Sequence, residues 1–172
     1  SFYHYFKSKQ DFGIAVIDNY VDFYDEKMSR IFEDDTLSPL SRIQQFVDEG
    51  KEGMTRYEFK RGCLIGNMGQ ELASLNDEFR MRLEAVLSAW EARLKICLDL
   101  AVEREELPNN TDTKALSNFF CALVTSPSRM VWIRALRSGN ASVTFASPNA
   151  FICRNNSLNT AELDFIARSE ER

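Results

Sequence analysis

The sequence predicts an all-α protein, and three observations support this fold class. Hydrophobic residues make up 44% of the chain and charged residues 27%, which is typical of a globular domain. Only 7 Gly and 4 Pro occur among 172 residues, so residues that interrupt helices are scarce. Apolar residues recur every three to four positions over most of the chain. No segment before residue 140 has the pattern of a strand, and the length suits one domain.

The first two long helices have clear N-terminal signals. Apolar positions follow helical spacing over residues 8–32, where Ser8 is placed to act as the N-cap. A polar break follows this segment. Ser38 and Pro39 then provide an N-cap and a proline in the first helical turn, which predicts a second helix to about Tyr57.

The middle of the chain contains a short helix with two glycines and the longest helical pattern. Residues 60–74 keep apolar helical spacing although Gly66 and Gly69 each cost ~1 kcal/mol relative to Ala. Glycines in such positions are typical of close packing. Asn76 is a good N-cap for the next helix, which spans about seven turns before Pro108 ends it.

The last predicted helix is followed by a tail of different composition. An apolar stripe begins at Thr111 or Asp112 and continues to Leu123, and Pro127 then interrupts the pattern. Residues 139–172 are rich in Ser and Asn and have no sustained period, so we expect an irregular, divergent tail. A frameshift and genuine divergence are the two explanations for this tail.

Charge and motif content argue against several classes of protein. A net charge of -5 does not suit a protein that coats nucleic acid with its whole surface, although it allows a local basic patch. Four scattered cysteines and a single His provide no metal cluster and no disulfide framework. No apolar run reaches the ~18 residues of a membrane helix. The chain has no phosphate loop or nucleophile motif, so we expect no enzyme activity and no cofactor. We also expect no metal and no membrane partner.

The first nine residues differ from the rest of this acidic chain. They contain no acid, and they combine two lysines and the only histidine with four aromatic residues. In a short helix, Phe2 and Phe6 at i and i+4 would pack one face against the core. Tyr3, His4 and Tyr5 would then project outward, where their polar groups suit contacts with DNA phosphates. The alternative is a frayed aromatic terminus.

Two strings in the sequence resemble one family. The string SFYHYFKSKQDFG resembles the end of the DNA-binding domain of TetR/AcrR-type transcriptional repressors. There, an aromatic recognition helix of the form (L/F)-Y-x-(H/Y)-F precedes K-x-K-(E/Q) and a long helix. The stretch RGCLIGNMGQELASLNDEFR, followed by AWEARL, resembles an AcuR/NemR-like subgroup with a Gly-Cys-Leu signature. The resemblance extends from Ser1 to about Leu123.

The resemblance implies a TetR-like helical regulatory domain preceded by the end of a helix-turn-helix DNA-binding domain. Residues 1–10 would end the recognition helix, and residues 11–138 would form the helical ligand-binding and dimerisation domain. Family members have about forty residues before this point, so we expect an N-terminally truncated chain that needs those helices to bind operator DNA. The family positions that contact DNA correspond to Ser1, Tyr3, His4, Tyr5 and Lys9.

A polar stripe on the glycine-containing helix is a candidate ligand site. Cys63, Asn67, Gln70 and Ser74 fall at i, i+4, i+7 and i+11, beside an apolar stripe. On a helix that the family buries, the first three side chains would line a small-molecule pocket. A solvent-facing stripe is the alternative. Trp90 on the long helix either closes the pocket or belongs to the core.

Cys63 has two alternative roles. It follows Lys60, Arg61 and Gly62 at the predicted start of a helix. Nearby cations and a helix N-terminus both lower the pKa of a thiol, which gives the hypothesis that Cys63 senses electrophiles or oxidants. The alternative is an inert packing residue.

These observations lead to a functional expectation. The resemblance implies a cytoplasmic, homodimeric repressor that binds operator DNA and releases it when a small-molecule inducer or an electrophile binds. Ligand binding would shift the population toward a state in which the long helix that follows the DNA-binding head has moved, and the repressor would then release the operator. The alternative is a helical ligand-binding and dimerisation fragment without DNA-binding activity.

Overall fold

The predicted helices are present in a computed structural model, which describes residues 2–58, 60, 62–125, 141–147 and 150–155. Among these residues, none of the helices combines the length and hydrophobicity that a membrane span requires. The all-α class is confirmed for the body of the chain. The helices are α1 (Phe2–Tyr5), α2 (Lys9–Phe32), α3 (Pro39–Arg56), α4 (Leu64–Leu72), α5 (Asp77–Glu103) and α6 (Thr113–Thr125).

The starts of the long helices agree with the capping signals in the sequence. The Ser8 side chain accepts a hydrogen bond from the backbone N–H of Asp11 at 3.0 Å. Ser38 caps α3 in the same way. The Asn76 side chain accepts two backbone N–H bonds at the start of α5. Each cap satisfies donors that the first helical turn leaves unpaired, so local chemistry determines where these helices begin.

A two-stranded hairpin lies in the tail. Strand β1 (Ala141–Ser147) pairs antiparallel with β2 (Ala150–Asn155), and the register shifts between Phe145 and Ser147. The sequence analysis expects irregular structure over residues 139–172, so the hairpin is a difference from that expectation. Both strands contain β-branched and aromatic residues, which favour strands, but each is too short to produce a sustained period.

The body is organised around the contact between α2 and α5. Both helices contribute their apolar faces to one buried cluster, which includes Ile17 and Val21 from α2 and Leu83 and Val86 from α5. Polar contacts advance in the same direction along both helices, so the two helices run parallel. These contacts join Gln10 to Glu78, Asp18 to Arg82 and Asp25 to Arg93.

Helix α3 is fixed at its N-terminus to the end of α5. The Glu106 carboxylate accepts hydrogen bonds from the Ser38 hydroxyl and from the backbone N–H of Leu40, both at 3.0 Å. A carboxylate at a helix N-terminus also interacts favourably with the helix dipole. The buried Cys97 thiol donates to the Pro39 carbonyl at 3.3 Å. These contacts fix one end of α3 to α5.

Buried Arg42 closes the connection between α2 and α3. Its guanidinium donates to the carbonyl oxygens of Phe32 at 2.8 Å and Leu37 at 3.2 Å, and it pairs with Asp35 at 2.9 Å. Since the side chain is only 3% exposed, these partners satisfy a charge that would otherwise be costly to bury.

Only one of the two glycines in α4 marks a close contact. A Cβ at Gly66 would lie 2.2 Å from the carbonyl oxygen of Thr125, so α4 and α6 approach each other at this residue. A Cβ at Gly69 would meet nothing within 4 Å. The close packing expected from the sequence is therefore present at Gly66 alone.

We expect opposite effects from alanine at these two glycines. Gly66→Ala should lower the free energy of unfolding by about 1–3 kcal/mol, because the new methyl group overlaps backbone of α6. Gly69→Ala, the matched control, should raise it by about 0.5–1 kcal/mol through helix propensity. Urea unfolding followed by circular dichroism measures both. Equal effects of the two substitutions would contradict the close contact between α4 and α6.

Candidate functional site

A cavity of about 1050 Å³ lies among helices α2 to α6. This volume suits a small organic ligand. Residues of α2, α3, α5 and α6 contribute to the wall, together with Gly62 and Cys63 just before α4. Its aromatic lining residues are Tyr20, Phe23, Tyr24, Phe46, Trp90 and Phe120, together with Phe32 and Tyr57.

Three rings of this lining connect α2 to α5. The Tyr20 and Tyr24 rings, one helical turn apart on α2, have centroids 4.6 Å apart, and the Tyr24 and Trp90 centroids are 5.6 Å apart. Trp90 is 7% exposed. Its indole Nε1 is buried, with no hydrogen-bond acceptor among the described residues. An unpaired buried donor is costly, so it needs an explanation at a candidate ligand site.

The Tyr20 hydroxyl joins α2 to the start of α4. Its oxygen accepts a hydrogen bond from the backbone N–H of Leu64 at 3.4 Å. Cys63 is the N-cap residue of α4, and its own side chain makes no capping hydrogen bond. Burial, with smaller effects from Cys63 and Tyr24, raises the pKa of Tyr20 above its ordinary value. The phenol is therefore neutral, and Tyr20 substitutes for the missing side-chain cap.

A lysine with a carboxylate partner lies against the aromatic wall. The Lys27 ammonium nitrogen is 5.9 Å from the centroid of Tyr24 and 5.5 Å from that of Phe46. It is also 3.4 Å from the Glu49 carboxylate. Arg30 donates to both oxygens of Glu49, at 2.8 and 3.0 Å, and this hydrogen bonding lowers the pKa of Glu49. Glu49 is therefore ionised and shared between two cations.

The structure brings two of the four predicted ligand residues to the cavity. Cys63 and Trp90 both line it, whereas Asn67 and Gln70 are not among its described lining residues. Asn67 and Gln70 are exposed, and the Gln70 amide donates to the Gly66 carbonyl at 3.2 Å. Cys63, the first residue of the polar stripe, therefore borders the cavity. The following turns of α4 do not place the Asn67 and Gln70 side chains in its wall.

The sequence analysis did not select the tyrosines of α2 or Lys27 as site residues. Tyr20 and Tyr24 fit the apolar stripe of α2 and were interpreted as part of that stripe. The sequence does contain a signal for these tyrosines, which lie one helical turn apart on a stripe that faces the core. A buried tyrosine hydroxyl needs a hydrogen-bond partner. Lys27 carried no distinguishing pattern.

Cys97 and Cys121 are packed thiols. Burial raises the pKa of Cys97 and that of Cys121 to about 11, so both are protonated near neutral pH. Cys97 is 3% exposed. Beside Cys63, Lys60 is paired with Glu58, and Arg61 lies outside the described residues. Within the described parts of the chain, no group of three or more His, Cys, Asp or Glu side chains is placed to hold a metal.

Of the residues expected to contact DNA, those that the structure describes belong to α1 or to the first turn of α2. His4 and Tyr5 are exposed at the end of α1, and Lys9 is exposed as the first residue of α2. Tyr3 belongs to α1, and Ser1 lies outside the described residues. The Phe6 ring packs edge-on against Phe12 with centroids 5.0 Å apart, and this contact holds the short connection between the helices.

Comparisons with known proteins agree with the family resemblance over most of the chain. Residues 39–141 match the family described as Tetracyclin repressor-like, C-terminal domain. The chain is 42% identical over 120 residues to the transcriptional regulator AcuR of Cereibacter sphaeroides, covering 70% of this chain and 55% of that protein. It is 24% identical over 84 residues to the HTH-type transcriptional repressor NemR of Escherichia coli, covering 49% of this chain and 42% of that protein.

A solved structure shares the fold. The regulatory protein TetR from Rhodobacter sphaeroides matches with a TM-score of 0.67 and 37% sequence identity, covering 80% of this chain and 69% of that one. The chain spans about half the length of the two curated relatives named above. The family match covers more than half of this chain. The chain therefore belongs to the TetR family of transcriptional regulators.

Proposed function

We propose that this chain forms the regulatory body of a cytoplasmic, homodimeric repressor that releases operator DNA when a small molecule occupies the aromatic cavity. The observation that carries the proposal is that α2 is a wall of this cavity and also begins directly after α1. A ligand between α2 and α5 therefore acts on the helix next to the residues expected to contact DNA. Exposed Ile96 on α5 and Phe119 on α6 support a dimer through these two helices.

A ligand in the cavity would act on α2 through its tyrosines. Tyr24 contacts Trp90 of α5, and Tyr20 contacts the first turn of α4. A ligand that separates these groups shifts the population toward a different position of α2. Because α2 is continuous, the shift extends to Lys9, which lies about 16 Å from Tyr20 at ~1.5 Å per residue.

The polar contacts between α2 and α5 near the proposed DNA end permit such a shift. Asn76 donates to the Gln10 side chain at 2.9 Å, and Asp18 pairs with Arg82 at 2.6 Å. The Asp18 and Arg82 side chains are 45% and 38% exposed, and exposed pairs of this kind contribute little to stability. They can therefore exchange partners or water at small cost.

Electrophile sensing by Cys63 is a second form of the same mechanism. Cys63 lines the cavity beside the contact between Tyr20 and Leu64, so a covalent adduct on its sulfur would press on α2 and α4 together.

Brief treatment with N-ethylmaleimide tests the accessibility and reactivity of this thiol. We expect Cys63 to be labelled faster than Cys97 and Cys121 at pH 7, because burial raises the pKa of those two thiols to about 11 and also shields them. Mass spectrometry of peptides after a short exposure gives the three rates. Labelling of Cys63 at an equal or lower rate would exclude the electrophile form.

DNA binding is tested in a chimaera that joins the first helices of AcuR to Ser1 of this chain. We expect sequence-selective binding of a DNA fragment selected with AcuR, and no selective binding by residues 1–172 alone, because a recognition helix requires supporting helices. Lys9→Gln should weaken binding and reduce the salt slope by about 1. The matched control is Lys114→Gln, whose ammonium pairs with Glu91 in the body and should not change binding. Fluorescence anisotropy measures each affinity.

A folded chimaera that fails to bind DNA would contradict the repressor proposal. That result would favour a helical ligand-binding and dimerisation module without DNA-binding activity. Equal effects of Lys9→Gln and Lys114→Gln would show that Lys9 contributes only general charge.

A further inference from the structure

The buried N–H of Trp90 indicates which chemistry the cavity recognises. Trp90 lines the cavity, is 7% exposed, and its Nε1 has no acceptor among the described residues. Most buried polar groups in folded proteins have a partner, and an indole nitrogen can only donate. A ligand that brings an acceptor oxygen to Nε1 would provide the missing hydrogen bond.

Charge near Trp90 favours a neutral acceptor over a carboxylate. Lys27, which lies over the Tyr24 ring, is already paired with Glu49, and Arg30 engages the same carboxylate. A ligand carboxylate at this depth would have to compete with Glu49 for its cations or remain unpaired, which is costly in a desolvated site. The remaining charged lining residues lie where solvent reaches them: Glu26, Lys51, Glu52 and Arg56.

The same arrangement disfavours a cationic ligand. Aromatic rings attract cations, but Lys27 already covers one face of Tyr24 and one face of Phe46. Among the anions of the lining, Glu49 is shared between two cations, and Glu26 and Glu52 are exposed to solvent. The indole N–H is the positive edge of Trp90.

We infer that the cavity binds a neutral molecule in which a carbonyl oxygen is attached to a flat apolar group. The oxygen accepts the hydrogen bond of the Trp90 indole, and the apolar group packs against Tyr24 and Phe46. This inference rests on the proposed function, since it names the ligand class of the same cavity. Because Nε1 is covered by neighbouring atoms, the ligand must displace those atoms to reach it.

Three probes of similar size test this inference with the full chain. Acetophenone carries a neutral carbonyl, α-methylstyrene replaces its oxygen with a methylene group, and benzoate carries a carboxylate. Isothermal titration calorimetry should show acetophenone binding about tenfold more tightly than α-methylstyrene, the gain of one hydrogen bond to a buried donor. Benzoate should bind more weakly than acetophenone.

Two variants separate the hydrogen bond from packing. Trp90→Phe keeps an aromatic ring but removes the N–H, so the affinity ratio of acetophenone to α-methylstyrene should fall to about 1. Phe46→Leu changes the apolar wall, so it should weaken both probes and leave the ratio near ten. Circular dichroism confirms that each variant is folded.

The possible results distinguish failure of the ligand class from failure of the proposed function. The inference is overturned if the unmodified chain binds acetophenone and α-methylstyrene equally, or if it binds benzoate most tightly. It is also overturned if Trp90→Phe keeps the affinity ratio of the unmodified chain. If none of the probes binds but a thermal-shift screen finds other ligands whose stabilising effect is weakened by Phe46→Leu, the ligand class is wrong and the proposed function stands. If no compound binds, the proposed function itself fails.

Discussion

The parallel packing of α2 against α5 is the contact on which the rest of this structure depends. Ile17 and Val21 of α2 share one buried cluster with Leu83 and Val86 of α5, and the other helices complete that cluster. Helix α3 contributes Ile43 to the cluster and is fixed to the end of α5. Helix α4 contributes Ile65 and is joined to α2 by the hydroxyl of Tyr20. A change in the distance between α2 and α5 therefore affects every part of the body.

The cavity lies where aromatic side chains replace aliphatic ones along the core-facing side of α2. Ile17 is fully buried, whereas Tyr20 and Tyr24 are half-buried and line open space. Large flat rings fill the region beside Trp90 less completely than branched aliphatic chains fill a core, and they bring polar groups with them. Burial of those polar groups makes the site selective, since each unpaired donor favours a ligand that carries an acceptor.

The sequence predicted the parts of the fold that depend on local chemistry. Ser8, Ser38 and Asn76 marked helix starts correctly because a cap is read from a few neighbouring residues. The hairpin was missed, since the periodicity of a strand is hard to recognise in segments of seven and six residues. Local signals thus identified the helices and missed the two short strands.

The candidate site was predictable only in part. Cys63 and Trp90 line the cavity, but a helical stripe does not reveal which of its residues borders a void, so the sequence does not distinguish the tyrosines of α2 from core residues. Asn67 and Gln70 share a stripe with Cys63, yet a helix of nine residues presents successive turns of that stripe to different surroundings. Tertiary packing, which the sequence does not show directly, decides whether a residue lines the cavity or lies on the surface.

The most direct test of the account is the NMR signal of the Trp90 indole N–H in the 15N-labelled chain. The sequence contains 2 Trp, so the Trp90 signal is assigned by its loss in Trp90→Phe. The account predicts that acetophenone moves this proton resonance downfield, as a new hydrogen bond forms, while α-methylstyrene does not. A Trp90 resonance that stays unchanged while acetophenone is bound would contradict it.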